Sequence, residues 1–395
     1  MKKAALPMLV LFVLAPLAIS AQSPVVYEAA STYYQVVSEV SQEHAALMGR
    51  NLDALFGLYN SHFRFDPAKL AAKLNVRIMA SKQRYDEYMH RFVSRSRDDF
   101  TYLHYSDPAK CELVGYAGDI TSFRLALNHQ AFIQFLRAFV PNPPLWIREG
   151  FAVFFENTFF DEAAGTIRYQ ENLAWLDTLK NLAANRGEKL LPFQDLMKID
   201  AEGVHSNLDV FYPQAWGLVS FLTNSQDVNY SRLLWDSVAA LVPSADLGHN
   251  ENTVYERVFR WYNERALTED FIKYIESRKS FRSLVQEGID LYSRNSLEEA
   301  EKTLGEALKL DGNNFVPYYY LGLISYARKD YAAADREYAT ALEKGAQPAL
   351  IYYAMGINAL ADERQEAALE CLKKAGEADP AYLQKAEDLA RRIRR

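Results

Sequence analysis

The amino-acid sequence predicts an α+β domain with a small sheet plus helices, followed by an all-helical solenoid. Three observations predict this fold class. Residues 76–123 alternate between apolar and polar positions, as the strands of a half-buried sheet do. The stretches on either side carry apolar residues at the helical spacing of about 3.6 residues. From residue 281 onwards, small residues recur every 34 positions, which is typical of a helical repeat array.

The first 21 of the 395 residues have the layout of a secretory signal peptide. Two lysines precede an apolar run over residues 4–19, and small residues before position 22 offer a cleavage point. The run is shorter than a membrane-spanning helix, and Pro7 and Pro16 interrupt it; an uncleaved anchor stays an alternative. We therefore expect an exported protein of the periplasm or the extracellular space, with no integral membrane span after cleavage.

The composition limits the kinds of molecule that the protein is expected to bind. The hydrophobic content of 49% and the charged content of 24% are ordinary for a folded soluble protein. The net charge of −7 makes the chain acidic, and an acidic chain is a poor match for the phosphate backbone of a nucleic acid. We therefore expect no nucleic acid among its partners.

Residues 22–275 are expected to form the α+β domain. Residues 25–63 carry apolar residues near helical spacing with few helix breakers, so we expect helix there. Three shorter segments alternate and supply the predicted sheet, at residues 76–80, 100–105 and 111–116. Beyond residue 125 the chain is again helical in pattern.

Two helices of this domain carry residues with the chemistry of a hydrolytic site. The first, at residues 125–139, contains His129. The second, at residues 144–156, contains Glu149 within the sequence Trp-Ile-Arg-Glu-Gly-Phe-Ala. This pair of helices resembles the gluzincins, the thermolysin-like zinc peptidases with a glutamate third ligand. It is most similar to the small bacterial peptidase-MA-like domains that are often fused to tetratricopeptide repeats.

The resemblance implies a degenerate peptidase site. In the family, a His-Glu-x-x-His helix supplies two zinc ligands and the general base, and the second helix supplies the third ligand. His129 and Glu149 match two of the ligands, but Gln130 stands where the base belongs and Ile133 stands where the second His belongs. A Gln amide takes no proton at neutral pH, and Ile offers no ligand atom. We expect neither hydrolysis nor a zinc cofactor, with His129 and Glu149 as the residual candidates for metal binding.

Without a metal ion, His129 and Glu149 need another polar partner. A buried Glu149 costs free energy unless it is paired, so we hypothesise that His129 and Glu149 form a direct hydrogen-bonded pair where the ancestral metal lay. A satisfied core histidine is the alternative for His129. Tyr212, at the start of a later helix, resembles a Tyr of the same family that stabilises an oxyanion in active relatives. Without a base, we interpret Tyr212 as a packing or ligand-contact residue.

Three columns of small residues define the repeats at the C-terminal end. In each column three equivalent residues lie 34 positions apart: Gly288, Gly322 and Gly356; Ala300, Ala334 and Ala368; Ala307, Ala341 and Ala375. Small residues at these positions let two antiparallel helices of a hairpin approach closely. The pattern resembles the tetratricopeptide (TPR) family, with units at 281–314, 315–348 and 349–382 and a polar capping helix that ends the domain at residue 395.

The resemblance to TPR proteins also predicts a binding surface. In such stacks the first helix of each unit lines the concave face, which here receives apolar or aromatic residues and no charges. These are Val285, Ile289, Tyr292, Tyr319, Leu323, Tyr326, Tyr353, Ile357 and Leu360. An apolar groove rich in Tyr fits an extended peptide or an amphipathic helix. The alternative is that the protein's own first domain fills this groove.

Two functions follow from these readings. The first is an exported binding or scaffold protein of the cell envelope, which holds a protein or peptide with its TPR groove and carries an inactive peptidase-like domain. The second is a zinc-dependent metallopeptidase with non-standard ligands. The missing base and the missing second His favour the first.

Overall fold

A computed structural model gives the fold of the chain. It describes residues 25–93, 100–118 and 120–393, with the backbone alone at residues 120–122. The predicted signal peptide, residues 1–21, lies outside these residues. The described chain consists of a small sheet with helices followed by an all-helical stack, and this confirms the predicted fold class.

The sheet has five strands in the order β1-β2-β3-β5-β4. The strands are β1 (Tyr27–Ala30), β2 (Tyr34–Ser38), β3 (Leu74–Met79), β4 (Thr101–Leu103) and β5 (Glu112–Tyr116). The three central strands are parallel, with Val36 opposite Val76 and Val76 opposite Leu113. The outer strands β1 and β4 pair antiparallel with their neighbours. The three segments predicted as strands from their alternation are β3, β4 and β5.

The prediction of helix over residues 25–63 is wrong for residues 25–41. Residues 27–38 form β1 and β2, and helix α1 begins only at Gln42. Along β2 the buried positions alternate with partly exposed ones, as one covered face of a sheet requires. The Ser41 hydroxyl accepts a hydrogen bond from the His44 backbone and caps α1.

Helices cover both faces of the sheet and extend beyond it. They are α1 (Gln42–Phe63), α2 (Lys82–Met89), α3 (Ile120–Phe139), α4 (Leu145–Phe155), α5 (Leu176–Gly187), α6 (Phe193–Met197), α7 (Ala201–Ser206), α8 (Leu208–Asn224), α9 (Val228–Ala239), α10 (Leu247–Val254) and α11 (Glu264–Ser277). A two-stranded hairpin, β6 (Phe159–Asp161) and β7 (Thr166–Arg168), follows α4. Helices α1 and α3 share the main apolar core with one face of the sheet. Helix α2 packs on the other face, around Met79 and Val114.

Seven helices of nearly equal length complete the chain. They are α12 (Phe281–Ser293), α13 (Leu297–Leu310), α14 (Phe315–Ala327), α15 (Tyr331–Glu343), α16 (Pro348–Ala361), α17 (Gln365–Ala378) and α18 (Pro380–Ile393). Consecutive helices pair as hairpins, α12 with α13, α14 with α15 and α16 with α17, and α18 packs on the last. This region resembles a tetratricopeptide solenoid.

The glycine column lies where the helices of each hairpin touch. A Cβ added at Gly288, Gly322 or Gly356 meets the side chain of Leu304, Tyr338 or Leu372 on the facing helix, at 2.7, 2.4 and 2.9 Å. Real carbon atoms do not approach so closely, so glycine at these positions sets the distance between the two helices.

Polar contacts join the two parts of the chain. Arg278 forms an ion pair with Glu171 at 2.5 Å, and the Ser280 hydroxyl donates a hydrogen bond to Asp177 at 2.9 Å. The Gln170 amide donates to the Leu310 carbonyl at the end of α13. These contacts hold the first repeat against the segment that follows β7. Among the helices of the described residues, none is both long and apolar enough to cross a membrane.

Candidate functional site

The two helices that carry His129 and Glu149 pack directly against each other. Every residue of α4 except Arg148 is buried, so this helix runs through the core. Gly150 is needed there because a Cβ would lie 2.5 Å from the Ala215 carbonyl oxygen of α8. The close contact between α4 and α8 fixes the position of Glu149, the neighbour of this glycine.

His129 lies between two carboxylates. Its Nε2 is 3.2 Å from Glu149 Oε2, and its Nδ1 is 2.6 Å from Glu156 Oε1. A carboxylate accepts hydrogen bonds, so both ring nitrogens donate and the imidazole is protonated. The predicted pairing of His129 with Glu149 is therefore present in the structure. We call His129, Glu149 and Glu156 the histidine triad.

The surroundings of the triad stabilise its charged state. Burial lowers the pKa of His129, but hydrogen bonds to Glu149 and Glu156 and the charges of both outweigh burial and raise it to about 9. Burial raises the pKa of Glu149, but the Arg148 charge and the His129 hydrogen bond outweigh burial and lower it to about 2. At neutral pH the triad thus consists of an imidazolium and an ionised Glu149.

Each carboxylate of the triad has a second donor. The Arg148 guanidinium donates to Glu149 Oε1 at 2.7 Å. The Asn172 amide donates to Glu156 Oε2 at 2.6 Å. Asn172 follows β7, in the segment that contacts the first repeat. The triad is thus connected, through Glu156, to the junction between the two parts of the chain.

Glu156 was not among the residues predicted from sequence. It lies seven residues after Glu149, and this spacing places two side chains on the same face of a helix. That spacing was a usable signal for a second carboxylate facing His129. The two carboxylates bond opposite edges of the imidazole ring and do not converge on a common point. Among the described residues, no group of three or more His, Cys, Asp or Glu side chains is arranged to hold a metal ion.

The remaining predicted site residues lie on α3 and α8. Ile133 is 7% exposed and belongs to the main apolar core. Gln130 is half-buried on the same helix. Tyr212 lies inside α8, which begins at Leu208, rather than at the start of that helix. Its ring is half-buried and lies 5.3 Å from that of Phe211.

The predicted groove residues of the repeats are all half-buried. This class includes Tyr292, Tyr319, Leu323, Tyr326, Tyr353 and Ile357. The rings of Tyr292 and Tyr319 lie 5.8 and 5.5 Å from that of Tyr320, and the rings of Tyr353 and Tyr382 lie 5.6 Å apart. We call the set Tyr292, Tyr319, Tyr320, Tyr326, Tyr353 and Tyr382 the tyrosine surface. It extends over all three hairpins and the last helix.

The chain is similar to a solved structure of a TPR protein. No protein-family model and no curated protein matches the chain. A solved structure that matches is the crystal structure of YrrB, a TPR protein with an unusual peptide-binding site. It is 19% identical, and the match covers 49% of this chain and 99% of that one, with a TM-score of 0.27. The likeness to TPR hairpins rests on the helix bounds and helix contacts of residues 281–393.

Proposed function

We propose that this protein is a peptide- or protein-binding scaffold whose TPR-like repeats provide the binding surface. The observation that carries the proposal is the tyrosine surface, because half-exposed aromatic rings recur at equivalent positions of successive hairpins. Tyrosine is enriched at the centres of binding interfaces, where its ring packs and its hydroxyl bonds a partner.

The first domain, in this proposal, is a catalytically degenerate gluzincin-like domain. Peptide hydrolysis by a zinc peptidase needs an open metal position and a base that activates water. The donor set here does not fit zinc, because both nitrogens of His129 donate to carboxylates and Ile133 has no ligand atom. Gln130 provides no base. The domain therefore keeps the helix pair of a peptidase and contributes structure or recognition.

Restoring the missing groups tests the gluzincin assignment. Changing Gln130→Glu and Ile133→His together should create a zinc site, because two His one turn apart and Glu149 would then supply three ligands. The measurement is zinc per chain by elemental analysis, with the unchanged protein as the reference. No gain in zinc would contradict the alignment with gluzincins. One zinc per chain in the unchanged protein, lost on chelation together with peptidase activity, would favour the metallopeptidase alternative.

Export and residence in the cell envelope belong to the same proposal. They rest on the lysines, the apolar run and the small residues of the first 21 positions. Expression of the full chain in a bacterium, followed by fractionation and N-terminal sequencing, tests them. A mature protein that begins near residue 22 in the periplasm or medium is the expected result, and an intact N-terminus in the cytoplasm would contradict it.

Selection from a displayed library of random peptides tests the binding function. Peptides enriched on the protein should lose about tenfold or more in affinity when Tyr319 and Tyr353 are both changed to Ala, because buried aromatic anchors each contribute more than about 1 kcal/mol. The matched control is Tyr352→Ala. Tyr352 neighbours Tyr353 on α16, but its ring faces Lys374 of α17 at 5.8 Å. Equal affinities in the double variant and the control would contradict the proposal.

A further inference from the structure

A cavity of about 320 Å³ lies between α1, α3 and the β6–β7 hairpin. Its volume is at the lower end of the range of about 300–1,000 Å³ that is typical of ligand pockets. The exposed residues Gly118 and Glu162 mark its mouth. Apolar side chains form most of its wall, and they include Leu47, Met48, Phe123, Leu127 and Phe160. The histidine triad and the tyrosine surface do not line this cavity, so it is separate from both.

Arg124, in the cavity wall, is a half-buried cation without an anionic partner. Its Nη1 donates to Asn157 Oδ1 at 3.2 Å and to the Thr158 carbonyl at 3.3 Å. Its guanidinium carbon lies 3.7 Å from the centre of the Phe159 ring. None of these partners is charged, and burial lowers the pKa of Arg124 with no neighbouring charge that offsets it. A buried cation costs free energy unless an anion pairs with it, so Arg124 favours an anionic ligand.

The free edge of the Arg124 guanidinium fits a carboxylate. Its Nε and Nη2 make no hydrogen bond within the described chain, and these two groups form one side of the fork that bonds both oxygens of a carboxylate. A phosphate carries about −1.5 to −2 charges at neutral pH. Among the described residues of the cavity wall Arg124 is the single Lys or Arg, and Glu162 at the mouth is acidic. A monoanion therefore matches this cavity better than a phosphate.

Asn128, one turn further along α3, offers the cavity a fixed hydrogen-bond acceptor. The residue lines the cavity and is 2% exposed. Its Nδ2 donates to the carbonyls of Glu156 and Thr158, both at 2.8 Å, and these bonds fix the orientation of the amide. Its Oδ1 accepts no hydrogen bond from the described chain, and it is not among the polar atoms that are sealed from solvent without a partner. The Oδ1 atom is therefore open to the cavity, where a ligand N–H would satisfy it.

The two polar groups and the apolar wall together define a ligand class. Arg124 and Asn128 are four residues apart on α3, and residues at this spacing have Cβ atoms about 5–6 Å apart. Phe123 and Leu127 have the same spacing and supply the apolar wall beside them. A carboxylate, an N–H donor and an apolar side chain on one carbon atom are the substituents of an apolar amino acid. Its amino group must be acylated, because a free ammonium would place a second cation near Arg124.

We infer that this cavity binds an N-acylated apolar amino acid, with its carboxylate on Arg124, its amide N–H on Asn128 Oδ1 and its side chain against Phe123 and Leu127. The C-terminal residue of a polypeptide and a free acyl amino acid share this chemistry. The inference concerns the first domain and does not rest on the binding function proposed for the repeats.

Titrations of the full chain, followed by ligand-detected NMR, test the inference with three small molecules. The first is N-acetyl-L-leucine, the second is its neutral amide, and the third is 4-methylpentanoate, which keeps the carboxylate and the apolar chain but lacks the N–H. We expect N-acetyl-L-leucine to bind. The amide should bind about tenfold or more weakly, because it lacks the charge-assisted bonds to Arg124. The 4-methylpentanoate should bind about two- to tenfold more weakly, because Asn128 Oδ1 is left without a donor.

Arg124→Gln separates the loss of charge from a loss of folding. This variant should weaken the binding of N-acetyl-L-leucine about tenfold or more and leave the binding of the amide unchanged, which a misfolded cavity would not do. The matched control is Arg168→Gln. Arg168 also lies near the Phe159 ring, at 5.3 Å, but it is exposed and does not line the cavity, so its substitution should leave both affinities unchanged.

A Gly-Ser peptide that ends in a free Leu carboxylate, compared with the same peptide amidated, identifies the source of the ligand. Tight binding of the peptide acid supports a polypeptide C-terminus, whereas binding of N-acetyl-L-leucine alone supports a free acyl amino acid. Equal binding of N-acetyl-L-leucine and its amide, or equal losses in Arg124→Gln and Arg168→Gln, would overturn the carboxylate contact. Equal binding of 4-methylpentanoate would overturn the amide contact. If none of the three small molecules binds at about 10 mM, the cavity is not a site for this class, and the function of the tyrosine surface is unaffected.

Discussion

Removing one carboxylate from the histidine triad should change both the stability of the protein and its dependence on pH. In Glu149→Gln, His129 keeps one charged partner, Glu156, and Arg148 loses the carboxylate with which it forms an ion pair. The Glu149 side chain is 7% exposed and that of His129 16% exposed, so solvent compensates little. Charge-assisted hydrogen bonds contribute about 1.5–3 kcal/mol, and breaking a buried ion pair costs about 3–5 kcal/mol. We expect the free energy of unfolding to fall by about 2–4 kcal/mol at pH 7.

The pH dependence gives the sharper signature. The pKa of His129 is raised from 6.5 to about 9 in the folded protein, so the folded state keeps a proton that the unfolded chain releases. This stabilisation is complete below about pH 6.5 and is lost as the pH rises through about 9. A shift of this size corresponds to about 3 kcal/mol. The pKa of Glu149 is lowered to about 2, so its contribution is present above about pH 4.5 and is lost as the pH falls towards 2.

Urea unfolding followed by tryptophan fluorescence between pH 5.5 and 9.5 measures the loss of stability at pH 7 and the pH dependence that His129 contributes. The unchanged protein should lose stability from pH 6.5 to 9. In Glu149→Gln the slope over this range should be about half as steep, since the His129 pKa falls back towards 6.5. The control is Glu162→Gln, because Glu162 is exposed on the β6–β7 hairpin. An identical pH slope in Glu149→Gln and the unchanged protein would refute the role assigned to the triad.

Two glycine substitutions test the packing. Gly322→Ala places a methyl group 2.4 Å from the Tyr338 ring and should destabilise the protein by about 1–3 kcal/mol. A methyl group at Gly305 meets no atom within 4 Å, so Gly305→Ala should stabilise α13 by about 0.5–1 kcal/mol. Equal effects in urea unfolding would contradict the close contact in the hairpin. Gly150→Ala brings a methyl group 2.5 Å from the backbone oxygen of Ala215 and should also lower the free energy of unfolding by about 1–3 kcal/mol. A melting temperature equal to that of the unchanged protein would contradict this expectation.

The repeats were predictable because one weak signal occurs three times. A single Gly in a helix has many explanations, but Gly288, Gly322 and Gly356 at a constant spacing have few, and each meets a large side chain on the facing helix. The pairing of His129 with Glu149 was predictable from the free-energy cost of burying a carboxylate without a partner. Glu156 caps the C-terminal end of α4 and lies outside the family's ligand motif, so the motif does not point to it.

The strands before α1 were missed because a polar residue interrupts their apolar alternation. In β2, Tyr34 and Val36 are buried and so is Ser38, all at 0% exposure. The Ser38 hydroxyl contacts His44 Nδ1 at 3.0 Å and accepts from the Val40 backbone at 3.1 Å. A buried serine satisfied by such contacts looks, in sequence, like an exposed one. Tertiary hydrogen bonds of this kind carry no periodic signal.

The two ends of the helical stack are held differently. At the far end, α18 packs on α17 and on α16. At the near end, the Ser280 hydroxyl both caps α12 and bonds Asp177, so the stack is tethered at its base. The same stretch of chain, residues 170–177, contains Asn172, whose amide donates a hydrogen bond to Glu156. The base of the stack and the histidine triad are therefore supported by one short segment.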